Sequence, residues 1–293
     1  MPEIPDLENV KSFLEQHILG VAIQGAETPR GWVIRYPTAL EFARTLEGDA
    51  VQSIARRGKF LLFGLRSGHL LAINSMLTGR LQYREGQPKK VHKRTNFILH
   101  LADGHDLLYY DQQSMGKVYL VPADRLDLIP NFSKMGPEAL EMSLLEFQER
   151  LRKRRGMVKP ILTDAEFIAG IGNAYADEIL WEARVHPHKN AASLSAEEVE
   201  RLHTAIGSVL RWAIGIVGEE MRGDIDRKVR DFLRVHRKGG EPCPRCGHAI
   251  SEIAVRDRVT SFCRQCQPEV PQHHLGLRSG RAGGGVSGAQ PTP

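Results

Sequence analysis

Cysteine is scarce in this chain: four among 293 residues, all between positions 243 and 266. Disulfide frameworks spread through a sequence and belong to oxidising compartments, so this distribution excludes one. Long apolar runs are missing as well, and nothing approaches the ~20 residues needed to cross a bilayer. The start has no basic n-region and no apolar h-region, so no secretory signal is read there. Aromatic residues make up only 6% of the chain, too few to suggest the stacking surface of an RNA-binding protein. Residues 271–293 hold six Gly, three Pro, no aromatic and no acid. Such a segment cannot bury a core and is expected to be a disordered tail. These absences point to a soluble intracellular protein, cytoplasmic if bacterial, with no membrane association.

The length is sufficient for two domains with separate cores. The formal charge is +5, and the basic residues are clustered: Arg56-Arg57-Gly58-Lys59, Lys89-Lys90 with His92-Lys93-Arg94, Arg152 to Arg155, and Arg234 to Lys238. One such cluster is ordinarily a solvated face. Four in one mildly basic chain favour a polyanionic partner.

The cysteines form two pairs, Cys243-Pro-Arg-Cys246 and Cys263-Arg-Gln-Cys266, with sixteen residues between them. Each pair supplies one thiolate corner, and together they match a tetrahedral site for one structural Zn²⁺.

Periodicity divides the rest. Leu7, Val10, Leu14 and Ile18 step as an amphipathic helix stopped by Gly20, with Pro5, Asp6 and Glu8 suited to its first turns. From about Val21 to Val121 the period is that of strands, with hairpin turns at Ser67-Gly68 and Asp103-Gly104. After Pro137 the pattern is helical. Ser143-Leu-Leu-Glu146 and Ser195-Ala-Glu-Glu198 open helices, and Val199, Leu202, Ile206, Val209, Ala213 and Val217 form one stripe. The expected fold is α+β and multidomain: an N-terminal helix on an antiparallel β-sandwich (1–130), a helical domain (131–238), a zinc ribbon (239–270) and the tail (271–293).

Between the helical segments, Gly170-Ile-Gly172-Asn173 puts two glycines before a helix start. Free N–H groups there would make a phosphate site, with Asn173 beside them. A plain helix connection would look the same.

Taken in order, Met-Pro-Glu-Ile-Pro, Arg57-Gly58-Lys59 on a strand, Gly172-Asn173 before a helix, and Phe262-Cys-Arg-Gln-Cys-Gln267 closing a ribbon resemble the Fpg/Nei family of DNA glycosylase/AP lyases. The resemblance extends from Met1 to Gln267. It implies base-excision repair of double-stranded damaged DNA by a monomer, through a helix-two-turn-helix domain. Removal of Met1 would leave Pro2 with a secondary α-amine that attacks C1′, displaces the base and collapses to an iminium, after which phosphate elimination follows. Glu3 would move protons on the sugar, and Lys59 would contact the phosphate beside the lesion. Asn173 and Arg258 match the family's phosphate clamps, and His92 matches another phosphate contact. Leu77, Gln113 and Met115 stand where Fpg-type enzymes fill the gap left by the flipped base with Met, Arg and Phe.

Two departures bear on substrate: Asp6 replaces the usual Glu, and the stretch from Gly218 to Lys228 is charged where a Gly/Thr-rich loop covers 8-oxoguanine. Its acids are expected in solvent. The competing class is a non-catalytic zinc-ribbon protein that binds damaged DNA without cutting it.

Overall fold

The computed structural model describes residues 1–86, 92–255 and 258–269. The expected tail, Lys89-Lys90 and the Arg258 side chain lie outside the described residues. In chain order the elements are α1 (Ile4–Ile18), β1 (Ile23–Glu27), β2 (Ile34–Tyr36), α2 (Ala39–Leu46), β3 (Val51–Arg57), β4 (Phe60–Leu65), β5 (His69–Asn74) and β6 (Gly79–Glu85). There follow β7 (Thr95–Leu101), β8 (His105–Asp111), β9 (Lys117–Pro122), α3 (Leu144–Arg152), α4 (Val158–Leu162), α5 (Asn173–Glu182), α6 (Ala196–Met221), β10 (Ser251–Val255) and β11 (Arg258–Phe262).

The strands form a four-stranded sheet, β1-β7-β8-β6, and a five-stranded sheet, β2-β9-β5-β4-β3. Leu61, Phe63 and Leu65 of β4 meet Phe97, Leu99 and Leu101 of β7 in one core, as alternating inward side chains of facing sheets should. The other face of the five-stranded sheet is covered too: Phe60, Ala72, Tyr119 and Val121 pack with Ile129 and Phe132. Burial on both faces explains why the segment after Lys59 is almost continuously apolar. One pair departs from the antiparallel expectation. β2 runs parallel to β9, because α2 and six further strands intervene and no hairpin joins them.

The expected stripe of α1 is buried, with Leu14 and Ile18 fully enclosed. Asp6 accepts the Glu3 N–H at 2.8 Å and caps the helix start. Ser195 and Glu198 exchange side-chain-to-backbone hydrogen bonds at the start of α6. α6 serves two cores: Leu202 to Ala213 pack in the helical unit, while Val217 and Met221, followed by Ile225 and Val229, join the sandwich. The stretch beginning at Gly218 therefore opens as the last turn of α6. Its acids Glu219, Glu220 and Asp224 are exposed, but Asp226 is half-buried and accepts from the Gln82 side chain. Among the described residues, no helix is long and apolar enough to cross a membrane.

Candidate nucleic-acid interface and active site

The seam between sandwich and helical unit is built around the third residue of the chain. Glu3 is 4% exposed. Its carboxylate accepts backbone N–H groups of Gly172 at 2.8 Å, Ala174 at 3.2 Å and Tyr175 at 3.4 Å. These are the unsatisfied donors at the start of α5, where the helix dipole also favours an anion. The free helix end read as a phosphate site is thus already occupied by Glu3, a partner 169 positions away that local sequence cannot reveal. Glycine leaves room at 172 for this carboxylate, because a Cβ there would lie 2.6 Å from either Glu3 carboxylate oxygen and would have to displace it.

Arg230 holds the next layer. It donates to Asp6 at 2.8 and 2.5 Å. Burial works against its charge, but the Asp6 carboxylate more than offsets this and raises its pKa. Pro2 is buried beside these groups. Burial, followed by the charge of Arg80, lowers the α-amine that Met1 carries to about 6; Glu3 opposes the shift and Lys228 and Arg230 add to it. The seam opens into a cleft of about 470 Å³ lined by Met1, Glu3, Lys59, Leu77, Asn173, Lys228, Arg230, His236, Arg237 and Lys238, among others. Cations outnumber acids on its walls. The Lys228 pKa is lowered, by burial first and then by neighbouring Arg230.

The cleft therefore gathers Glu3, Lys59, Leu77 and Asn173. Met115 and Gln113 are exposed on the loop before β9, and Thr78 Oγ1 accepts the Gln113 N–H at 3.1 Å, joining that loop to the one carrying Leu77. His92 is not in this cleft. It is exposed in a separate hollow with Arg84, Lys93, Arg94 and Tyr110. Asn173 donates its side-chain amide to the Val259 carbonyl at 2.8 Å, so it also fastens the ribbon hairpin.

One basic cluster differs from expectation. Arg56 is buried and bonded to Glu8 and Glu138. Arg57 donates to Glu138 and to the carbonyls of Met135 and Gly136. This pair clamps the chain that follows the sandwich, since a buried guanidinium needs fixed acceptors. Arg152, Arg154 and Arg155 line another hollow on the helical unit.

Sequence reasoning missed Asp177. It is 1% exposed and joins α5 to Lys159 of α4 at 2.6 Å, to His236 Nδ1 in the segment before the ribbon at 2.7 Å and to the ribbon through the Ser261 N–H at 3.2 Å. An acid inside an apolar helical stripe was the available signal. Glu178, next to it, is fully buried and accepts the N–H groups of Arg234, Val235 and His236. Burial raises its pKa while those donors pull it down.

The four cysteine sulfurs lie within 4.8 Å of one another, with Cys246 and Cys263 3.5 Å apart and Cys243 and Cys266 3.9 Å apart. Zinc–sulfur bonds of about 2.3 Å in a tetrahedron require sulfurs about 3.8 Å apart, so the set fits Zn²⁺. Trp181 Nε1 donates to Cys243 Sγ at 3.3 Å. Burial acts to raise that thiol, yet the indole and backbone donors bring it to about 6, whereas burial and the neighbouring thiols push Cys266 up to about 12.

A sandwich and a helical unit meeting over a cationic cleft, with a four-cysteine ribbon fastened alongside, define a zinc-ribbon protein with a cleft suited to a polyanionic ligand. The comparisons make this specific. Residues 1–118 match the formamidopyrimidine-DNA glycosylase N-terminal domain, 135–223 the H2TH domain of the same enzymes, and 240–268 the zinc finger found in FPG and IleRS. A formamidopyrimidine-DNA glycosylase of Pelotomaculum thermopropionicum is 38% identical over 274 residues, 91% of this chain and 99% of the relative. One of Symbiobacterium thermophilum is 38% identical over 97% of this chain and 94% of its own. The structure also resembles Lactococcus lactis Fpg solved with DNA containing an abasic site, with a TM-score of 0.83 and 30% identity over 92% of this chain and 100% of that one. The same enzyme with Fapy-dG-containing DNA gives 0.83 and 31% over 91% and 100%. The chain belongs to the formamidopyrimidine-DNA glycosylase family.

Proposed function

We propose that this enzyme excises oxidised or ring-opened bases from duplex DNA and then cleaves the strand at the resulting abasic site, with Pro2 as the nucleophile. The observation that carries the reading is Glu3, a buried carboxylate next to the N-terminal amine, facing a cationic cleft. Removal of Met1 exposes the secondary amine of Pro2. Its lone pair forms a bond to C1′ while the glycosidic electrons leave with the base. Collapse to the iminium makes C2′–H acidic; loss of that proton expels the 3′-phosphate, and a second elimination expels the 5′-phosphate. The lowered α-amine at Met1 supports a neutral, nucleophilic amine in these surroundings.

Glu3 moves protons on the sugar, within the α5 N–H groups that orient it. Lys59, Asn173 and Arg258 hold phosphates, positioning the duplex without reading its sequence. Leu77, Gln113 and Met115 fill the space left by the extruded nucleotide, and His92 contacts phosphate from its separate hollow. Cys243, Cys246, Cys263 and Cys266 hold one Zn²⁺, which when bound supplies folding free energy to the ribbon, on the order of 10 kcal/mol. The working units are 1–130, 131–238 and 239–270, and the enzyme acts as a cytoplasmic monomer.

Borohydride trapping on an abasic duplex tests the reading. A covalent protein–DNA adduct is expected. Tight binding without an adduct would instead identify a non-catalytic damage-binding protein.

A further inference from the structure

The five-stranded sheet arranges its loops in a way that extends the proposed interface. Phe60 at the start of β4 pairs with Asn74 at the end of β5, Asn74 pairs with Lys117 at the start of β9, and Ile34 at the start of β2 pairs with Val118. Four segments therefore leave the sheet at one end: Lys59, the Leu77 loop, the Gln113–Met115 loop and the turn Arg30-Gly-Trp32-Val33. The strand order β4-β5-β9-β2 places that turn last in the row. Three strand spacings of about 4.8 Å put it about 14 Å from Lys59.

The turn is fixed in place. Gly31 N–H donates to the Asn96 carbonyl at 3.2 Å, and Val33 accepts from Val118 N–H at 2.9 Å. Arg35 donates to Gly116 O at 3.3 Å, tying the turn to the Met115 loop. Yet Trp32 is 58% exposed, with the Arg30 guanidinium 4.4 Å above its ring. Arg30 Nη1 is buried and has no hydrogen-bond partner among the described residues. Residues 28–37 carry two arginines and no acid. A single exposed tryptophan is unremarkable. A cation–aromatic pair on an anchored backbone, in line with the lesion-side loops and with one guanidinium nitrogen unpartnered among the described residues, is a built surface.

We infer that the Arg30–Trp32 turn binds the sugar–phosphate backbone of the undamaged strand. This rests on the placement of the damaged strand at Lys59 and of Leu77, Gln113 and Met115 within the duplex, as proposed above. The row then runs across the duplex, and its far end meets the complementary strand. Arg30 supplies charge for a phosphate, and the indole packs against a deoxyribose face.

The test measures affinity on a duplex carrying an uncleavable tetrahydrofuran abasic analogue and on the same damaged strand alone, across a salt series. Trp32→Ala is expected to weaken duplex binding about tenfold, and Trp32→Phe to retain most of it. Arg30→Ala is expected to lower the slope of log affinity against log salt by about 1. On the single strand, parent and variants bind alike. Equal loss on both substrates, or no loss on the duplex, overturns the inference. Restored equality on a duplex whose undamaged strand carries uncharged phosphonates opposite the lesion supports it. A parent protein that fails borohydride trapping would sink the lyase reading while leaving these affinity differences legible.

Discussion

Helix α5 is held at two places by different chemistry. Its first turn receives Glu3 from the sandwich through three backbone N–H groups, whereas its next turn sends Asp177 and Glu178 outward to the ribbon and to residues 234–236. In the first seam the anion comes to the helix, and the same carboxylate is the proposed proton carrier. In the second the anions belong to the helix, and their partners are structural. Disturbance of the first seam should therefore appear as lost rate, and disturbance of the second as lost alignment or stability.

The largest effect should come from blocking the amine. An N-terminal extension that prevents exposure of Pro2 is expected to abolish borohydride trapping while leaving the melting temperature unchanged; full trapping would sink Pro2 as nucleophile. In the processed enzyme the trapping rate should rise with pH below the ~8 of a free α-amine, because the burial and cationic neighbours that lower the Met1 amine also surround Pro2. A half-maximum near 8 would show that this shift does not carry over from Met1 to Pro2.

Second in size is the ribbon. Cys246→Ser, or zinc chelation, is expected to weaken abasic-duplex binding about a hundredfold or more, since the ribbon cannot fold without its metal. The sandwich should melt nearly as before. Undiminished affinity after chelation would remove the ribbon from the interface. Within the second seam, Asp177→Asn leaves Lys159 and His236 facing a neutral amide, at a cost of about 2–3 kcal/mol. Calorimetry should place that loss in the unit containing the ribbon, with Glu3-dependent steps largely intact.

Gly172→Ala probes the first seam alone. The added methyl must displace the Glu3 carboxylate, so single-turnover excision should fall about tenfold with little change in duplex affinity. A loss confined to affinity would reverse the contrast drawn between the seams.

The smallest expected effect concerns the lesion. The acids after Gly218 are mostly in solvent, Asp6 is engaged by Arg230, and Leu77 and Gln113 are proposed to take the places of the Met and Arg of Fpg-type enzymes. 8-Oxoguanine is thus expected to lack its capping contacts, while ring-opened and saturated bases stack poorly and flip more readily. Single-turnover excision should favour formamidopyrimidines and oxidised pyrimidines several-fold. Equal rates on 8-oxoguanine opposite cytosine would show that those contacts are supplied elsewhere.

Much of this was legible locally. The helix of Leu7, Val10, Leu14 and Ile18, the hairpins around Gly68 and Gly104, the Ser195 cap and the cysteine pairs follow from periods and spacings a few residues long. The cluster at Arg56 was less readable, because a basic run looks the same whether it faces solvent or a buried acid. Arg56 turns inward only because Glu8 and Glu138 converge on it.

The sequence by itself determined the alternation of helix and strand and the zinc ligand set, because helical pitch, strand pleat and tetrahedral ligation act over short stretches of chain. Only the tertiary structure decided that Glu3 occupies the start of α5, that Asp177 fastens the ribbon, and that Arg30 and Trp32 share a sheet end with Lys59. Those pairings join residues far apart in sequence, and hydrogen-bond partners at that separation are chosen by how the cores pack, which no local pattern encodes.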